Sequence, residues 1–292
     1  MPQIVADHKN EIGEGPIWHP REQVLYWLDI PNGQIFKYDP ATNEHGIFYE
    51  RDGPIGGITL QQNGSLLLFM GKGAIAELSD GKLRYLVRQI EGEEKNRFND
   101  VIADPAGRVF CGTMPTDSSL LGSGQGLGTL FRIERDGGIE PIIRNVGLSN
   151  GMGFSPDRKK LYYTDSTDYK IYVYDYDQGS GAISNQNTFI EVSPKKGLPD
   201  GMTVDSEGNV WCASAGGSTL TKYSTNGSQL TQFTFPARMV TSAAFGGGNL
   251  DDIYVTTIGG NNRAVEGAGA GALFRIRGAA KGLQEFYSDI AV

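Results

Sequence analysis

Six copies of a two-hairpin pattern, a glycine content about twice the ordinary, and an almost complete lack of helical periodicity predict an all-β chain, a six-bladed β-propeller with four antiparallel strands per blade. Glycine makes up 41 of the 292 residues, about 14% against a typical ~7%. Tyr, Phe, Thr and Val are plentiful, which suits short strands and tight turns. A length of 292 residues is compatible with one propeller domain spanning residues 1–292.

The repeat sets the order of the blades. Segments 14–29 (EGPIWHPREQVLYWLD), 56–71 (GGITLQQNGSLLLFMG), 99–114 (NDVIADPAGRVFCGTM), 150–165 (NGMGFSPDRKKLYYTD), 200–216 (DGMTVDSEGNVWCASAG) and 241–257 (TSAAFGGGNLDDIYVTT) share one plan. Each opens on a small or polar residue, runs into a short strand, turns through Gly, Asp or Pro, and returns as an apolar strand. Four residues after each start stand Trp18, Leu60, Ala103, Phe154, Val204 and Phe245, which gives a common register. The starts are 42, 43, 51, 50 and 41 residues apart, in the range of four-stranded propeller repeats.

A second hairpin is expected after each segment, at 34–49, 74–87, 128–144, 170–190, 219–235 and 272–287. The alternation Lys170-Ile171-Tyr172-Val173-Tyr174-Asp175-Tyr176 is that of a half-buried strand. Closing the ring requires a further strand so that no edge is left open, and residues 3–7 are placed to supply it. The Gly/Ser-rich stretch 116–128 (TDSSLLGSGQGLG) lies where a loop would reach over one mouth of the channel.

Lys and Arg total 26 against 34 Asp and Glu, a net charge of −8, which repels nucleic-acid phosphates and offers no basic face to anionic lipid. The N-terminus lacks both a basic n-region and an apolar h-region, and no stretch of about 18 apolar residues occurs. The expectation is a cytoplasmic protein, monomer or homodimer, acting on a small molecule without nucleic-acid or membrane partners. Cys111 and Cys212 fall at equivalent positions of two non-adjacent repeats and are expected to be unpaired, buried side chains.

Ring geometry turns the repeat into a site. The residue opening each inner strand should face one mouth of the central channel, and in order these are Glu14, Gly56, Asn99, Asn150, Asp200 and Thr241. Asn and Asp also open strands as turn caps. Four oxygen-bearing side chains at one register, however, point to convergence on a cation. Two carboxylates and two amide carbonyls suit a hard divalent ion, Ca²⁺ first, with Mg²⁺, Mn²⁺ or Zn²⁺ as alternatives. His8, His19 and His45 all lie outside these positions, which disfavours a histidine-ligated zinc. Gly56 and Thr241 are expected to leave room at the axis.

Arg97, two residues before Asn99, is near enough to the mouth to hold a polar or anionic substrate group, and Asp117 is placed to accept substrate hydroxyls. Asp29 and Asp165 end second strands and are expected to bond turns between strands. No nucleophile elbow, Cys/His pair, HExxH or P-loop occurs, and the run Gly122-Ser123-Gly124-Gln125-Gly126 precedes no helix.

The motifs Gly13-Glu14-Gly15-Pro16-Ile17-Trp18, Asn96-Arg97-Phe98-Asn99-Asp100, Asp104-Pro105-Ala106-Gly107-Arg108 and Gly112-Thr113-Met114 occur in that order. Leu148-Ser149-Asn150-Gly151, Tyr163-Thr164-Asp165-Ser166, Pro199-Asp200-Gly201-Met202 and Phe245-Gly246-Gly247 follow. Over nearly its whole length the chain thus resembles the regucalcin (senescence marker protein), gluconolactonase and luciferin-regenerating enzyme family of six-bladed propellers with one axial metal. The resemblance implies that Glu14, Asn150 and Asp200 coordinate the metal, that Asn99 beside them is a ligand or substrate contact, and that Arg97 holds substrate. Asp117 stands where some members carry a Glu, one methylene longer.

The activity implied is lactone hydrolysis, with the metal polarising the ring carbonyl and Asp200 as the base for the attacking water. The same ligand set also resembles diisopropyl-fluorophosphatase-like propellers, which act on phosphoryl centres. A non-catalytic, calcium-binding propeller is the third reading, although the blades lack the GH and WD dipeptides of WD40 interaction scaffolds.

Overall fold

In the computed structural model, which describes residues 1–125 and 127–292, the strands form six separate four-stranded antiparallel sheets. Their inner strands are Gly13–His19, Ile55–Leu60, Asn96–Ala103, Ser149–Phe154, Leu198–Val204 and Val240–Gly246. These open at or just before the six sequence positions expected to do so. Outer strands such as Glu44–Glu50 and Gln229–Thr234 are largely exposed, while second strands such as Val24–Asp29 and Val210–Ala215 are wholly buried. The blades therefore pack face to face through apolar side chains. The residue four past each axial position lies in these seams: Trp18 stacks on Tyr254 at 6.0 Å and Phe245 meets Trp211 edge-on at 6.0 Å. Burying a side chain of that size contributes roughly 1.5–3 kcal/mol, repeated around the ring.

Every inner strand breaks register with its neighbour near the channel mouth. The pairing skips between Glu14 and Ile17, Ile55 and Gly57, Phe98 and Val101, Asn150 and Met152, Pro199 and Met202, and Val240 and Ser242. A bulge adds residues to one strand only, bends it, and lets neighbouring side chains depart from strict alternation. Below the bulges regular pairing resumes.

The ring closes as expected at the N-terminus. Gln3–Ala6 pairs antiparallel with Leu273–Ile276, so the last blade combines the two ends of the chain. The hairpin expected over 272–287 does not form, because that N-terminal strand already occupies the place beside Leu273–Ile276. Residues 281–292 instead cross the far face of the ring as a strap. Ser206 N–H donates to the Lys281 carbonyl, Gly282 N–H to Leu250, Ser288 N–H to Leu60, and Asp289 N–H to Gly107, at 2.7–2.8 Å. Phe286 meets Phe154 edge-on, and the Arg21 guanidinium lies 4.9 Å from the centre of the Tyr287 ring. The strap thereby touches all six blades. Gly282 is required there, since a Cβ would stand 2.1 Å from the Phe245 ring.

Asp29 and Asp165 bond turns, as their positions suggested. Asp29 accepts from the Glu11 and Ile12 amides, and Asp165 from those of Gly147 and Leu148, at 3.0–3.1 Å. Cys111 and Cys212 are free and buried. Among the described residues the one α-helix is Arg263–Glu266, and no helix is long and apolar enough to cross a membrane.

Candidate active site

Glu14, Asn99, Asn150 and Asp200 are buried at the openings of the inner strands of blades 1, 3, 4 and 5. Two of them touch directly. The Asn99 Nδ2 donates to Asn150 Oδ1 at 3.0 Å and to the Ser149 carbonyl at 2.8 Å, so blades 3 and 4 are joined at the mouth. Asn150 Nδ2 donates in turn to Ser166 Oγ at 2.9 Å. Arg97 folds back over this pair, its Nη1 donating to Asn99 Oδ1 and to the Phe98 carbonyl, both at 2.8 Å. Glu14 Oε2 accepts from the Gly15 amide at 2.8 Å.

Electrostatics link the remaining members. Burial, then Asp100, then Asp200 push the Glu14 carboxyl well above its ordinary range. Burial and Asp100 do the same to Asp200, against the pull of the Gly201 amide and the Asn150 side chain. Asp100 itself is raised by burial to about 7, with Arg97 working the other way. Arg97 is pulled down to about 10 by desolvation, although Glu14, Asp100 and Asp200 all favour its charge. Carboxyls from blades 1, 3 and 5 and one guanidinium thus share a desolvated mouth.

Asp100 is the member that sequence reasoning missed. A strand alternates its side chains, so with Asn99 assigned to the axis its neighbour should have faced away. The pairing skip between Phe98 and Val101 suspends that alternation, and Asp100 lines the cavity beneath the ring. The available signal was the Asn-Asp pair where blades 1, 4 and 5 carry one polar residue followed by glycine. That cavity, ≈ 70 Å³, runs past Ile17, Gly57, Met152 and Met202 and is stopped by Glu285 and Phe286 of the strap.

Gly56 and Thr241 serve the seams between blades. A Cβ at Gly56 would stand 1.9 Å from the Phe98 carbonyl oxygen, so glycine is imposed by the approach of blade 3. Thr241 Oγ1 donates to the Gly13 carbonyl at 2.6 Å, joining blade 6 to blade 1. Asp117 is exposed and caps the short turn Ser118–Leu120, accepting from the Ser119 amide at 3.0 Å and its hydroxyl at 2.7 Å. Gly126, in the same stretch, lies outside the described residues.

The donor chemistry of the mouth can be tested against a cation. It holds carboxyl and amide oxygens, with no imidazole or thiol: His8 and His45 pair with one another at 2.9 Å on the outer surface, and His19 ends its strand at the far side. Burial and mutual proximity hold the Glu14, Asp100 and Asp200 carboxyls towards their protonated forms, and a hard divalent ion beside them would favour ionisation. Among the described residues no three His, Cys, Asp or Glu side chains form a ligating group by themselves. A cation at the mouth would need amide oxygens beside Glu14 and Asp200, and the residues fit it on that condition.

Comparison with known proteins agrees with this architecture. A protein named pentonolactonase XacC from Haloferax volcanii is 45% identical over 293 aligned residues, covering 98% of this chain and 97% of that protein. Regucalcin of Xenopus laevis is 33% identical, covering 87% of this chain and 86% of its own length. The solved structure of a luciferin-regenerating enzyme superposes with a TM-score of 0.89 at 30% identity, covering 99% of this chain and all of that one. Residues 12–259 match the family model described as SMP-30/Gluconolactonase/LRE-like region, and the chain belongs to that family.

Proposed function

We propose that this protein is a divalent-cation-dependent lactonase that opens sugar lactones to hydroxy acids. The observation that carries the reading is the gathering of Glu14, Asp100, Asp200, Asn99, Asn150 and Arg97 at one desolvated mouth. The relative named a pentonolactonase, similar over nearly the whole chain, supports the substrate class. Regucalcin relatives, one of them described as a calcium-binding protein in its solved structure, support the cofactor class.

Glu14, Asn150 and Asp200 would hold the cation, with Asn99 beside them, and Ca²⁺ suits such oxygens best. When bound, the cation supplies Lewis-acid polarisation of the lactone carbonyl and charge for the oxyanion. Arg97, held against Asn99, keeps guanidinium N–H groups for a substrate oxygen. Asp200, in its ionised form, takes a proton from water as the water oxygen bonds to the carbonyl carbon. The ring C–O bond then breaks, and the leaving alkoxide recovers the proton as the hydroxyl of the open-chain acid. Burial makes Asp200 a stronger base than a solvated carboxylate. The Asp117 carboxylate spends Oδ1 on the Ser119 amide and hydroxyl, which leaves Oδ2 as the acceptor for a substrate hydroxyl.

The experiment is a panel of aldonolactones assayed on purified protein stripped with a chelator and then reloaded with Ca²⁺, Mg²⁺, Mn²⁺ or Zn²⁺. Hydrolysis that appears only on reloading is expected. A phosphotriester assayed on the same sample tests the fluorophosphatase-like alternative. Cation binding without turnover of either class would overturn the enzymatic reading.

A further inference from the structure

Ser166 is fully buried beside the mouth, just past the end of the second strand of blade 4, Lys160–Asp165. It touches one member of the site, Asn150, and the backbone just before another, Asp200, through one oxygen. Its hydroxyl donates to the Pro199 carbonyl at 2.6 Å, and its Oγ accepts from Asn150 Nδ2 at 2.9 Å. The direction of the first bond is forced: a carbonyl oxygen can only accept, and a serine hydroxyl has one hydrogen. With that hydrogen committed to Pro199, Ser166 offers Asn150 only a lone pair.

The Asn150 carboxamide must therefore turn its NH₂ towards Ser166, the side on which it also meets the Asp200 carboxyl, and its Oδ1 towards Asn99. On the other side Asn99 presents Nδ2, itself turned that way because its partner the Ser149 carbonyl is also acceptor-only. An Asn150 amide turned over would set NH₂ against NH₂ at Asn99 and oxygen against a spent hydroxyl at Ser166. Both contacts would be lost in a buried place, where unmade hydrogen bonds are costly.

We propose that Ser166 is a positioning residue that fixes which way round the Asn150 carboxamide sits, with Oδ1 on the Asn99 side, and ties that choice to the backbone immediately before Asp200. For the cation this rests on the reading of the mouth as a divalent-ion site. The orientation itself does not depend on it. Partners of this kind, one bond behind a ligand, typically change metal affinity 10–100-fold when removed.

A double-mutant cycle with calcium chloride as the probe, read by titration calorimetry, tests the proposal. Ser166→Ala is expected to weaken Ca²⁺ binding 10–100-fold in the natural background. In the Asn150→Asp background it is expected to change binding less than about twofold, because a carboxylate presents an oxygen either way round. Ser166→Cys, which keeps the volume but not a strong donor, should fall between and serves if the alanine variant folds poorly. Equal losses in both backgrounds would reduce Ser166 to a structural role and overturn the proposal.

If the unaltered protein binds no divalent cation, the cation reading fails. The proposal is then decided by the side-chain amide NMR signals of Asn150 in cation-free protein. Those signals should shift on Ser166→Ala. Unchanged signals would overturn it.

Discussion

Asn99 and Asn150, from adjacent blades and 51 positions apart in the chain, share a hydrogen bond of 3.0 Å at the channel mouth, where Asn99 also donates to the Ser149 carbonyl and Asn150 to the Ser166 hydroxyl oxygen. The polar ring is thus part of the closure of the propeller as well as a site within it. Changes at the ring should move both stability and activity, each in a direction that depends on charge.

Asp200→Asn separates the two. Removing one of three desolvated carboxyls relieves repulsion with Glu14 and Asp100, so the cation-free variant should unfold at the same or a higher temperature than the natural protein at pH 8. Lactonase kcat should fall by at least about 10²-fold, the smaller end of what a positioned general base contributes. Near-full kcat in a cation-loaded variant would remove Asp200 from the mechanism.

Arg97→Met should do the reverse. It removes the guanidinium charge that favours the ionised forms of Glu14, Asp100 and Asp200, together with the bonds to Asn99 and the Phe98 carbonyl, so the folded chain should lose stability. The carboxyls are already raised, so the cost should be largest above pH 7, where they must ionise, and should shrink towards pH 5. Thermal unfolding in the presence of a chelator across that range is the measurement. A loss independent of pH would contradict the electrostatic account.

Glu285, carried by the strap to the closed end of the channel, is raised by burial to about 7. Its proton is held more tightly in the folded chain than in the unfolded one, so its contribution is most favourable below about pH 4.5 and is lost as pH rises through 7. Glu285→Gln should therefore stabilise the protein at pH 8, by on the order of 1–3 kcal/mol, and leave it unchanged near pH 4. Denaturant midpoints at the two pH values would show this difference.

Gly56→Ala tests the seam between blades 2 and 3. A methyl group directed at the Phe98 carbonyl from 1.9 Å has no flexible side chain to displace, and forcing it in should cost about 1–3 kcal/mol or more. Phe98 adjoins Asn99, so the strain should also weaken binding at the mouth. A fully stable variant would mean that the seam opens more easily than its contacts suggest.

Much of this was legible along the chain. Side-chain alternation, turn residues and an even spacing report local preferences, and six copies of them add up to a ring whose strand openings converge. The N-terminal closing strand and the turn-bonding roles of Asp29 and Asp165 followed from the same register. Asp100 did not, because the rule that placed Asn99 at the axis sent its neighbour away, and the break in pairing between Phe98 and Val101 suspends that rule. The segment after Ile276 misled for a related reason. It reads as half a hairpin, yet its place in the sheet is taken by residues from the other end of the chain.

By itself, then, the sequence determined the number of blades, their order and the residue types offered to the axis, since each of these is a periodic property of neighbours in the chain. The tertiary structure alone decided that three carboxyls and not two share the mouth, that residues 281–292 seal the far side, and that Ser166 orients Asn150. Each of those depends on contacts between distant segments, where burial and the direction of a hydrogen bond are set by whichever surface the other segment presents.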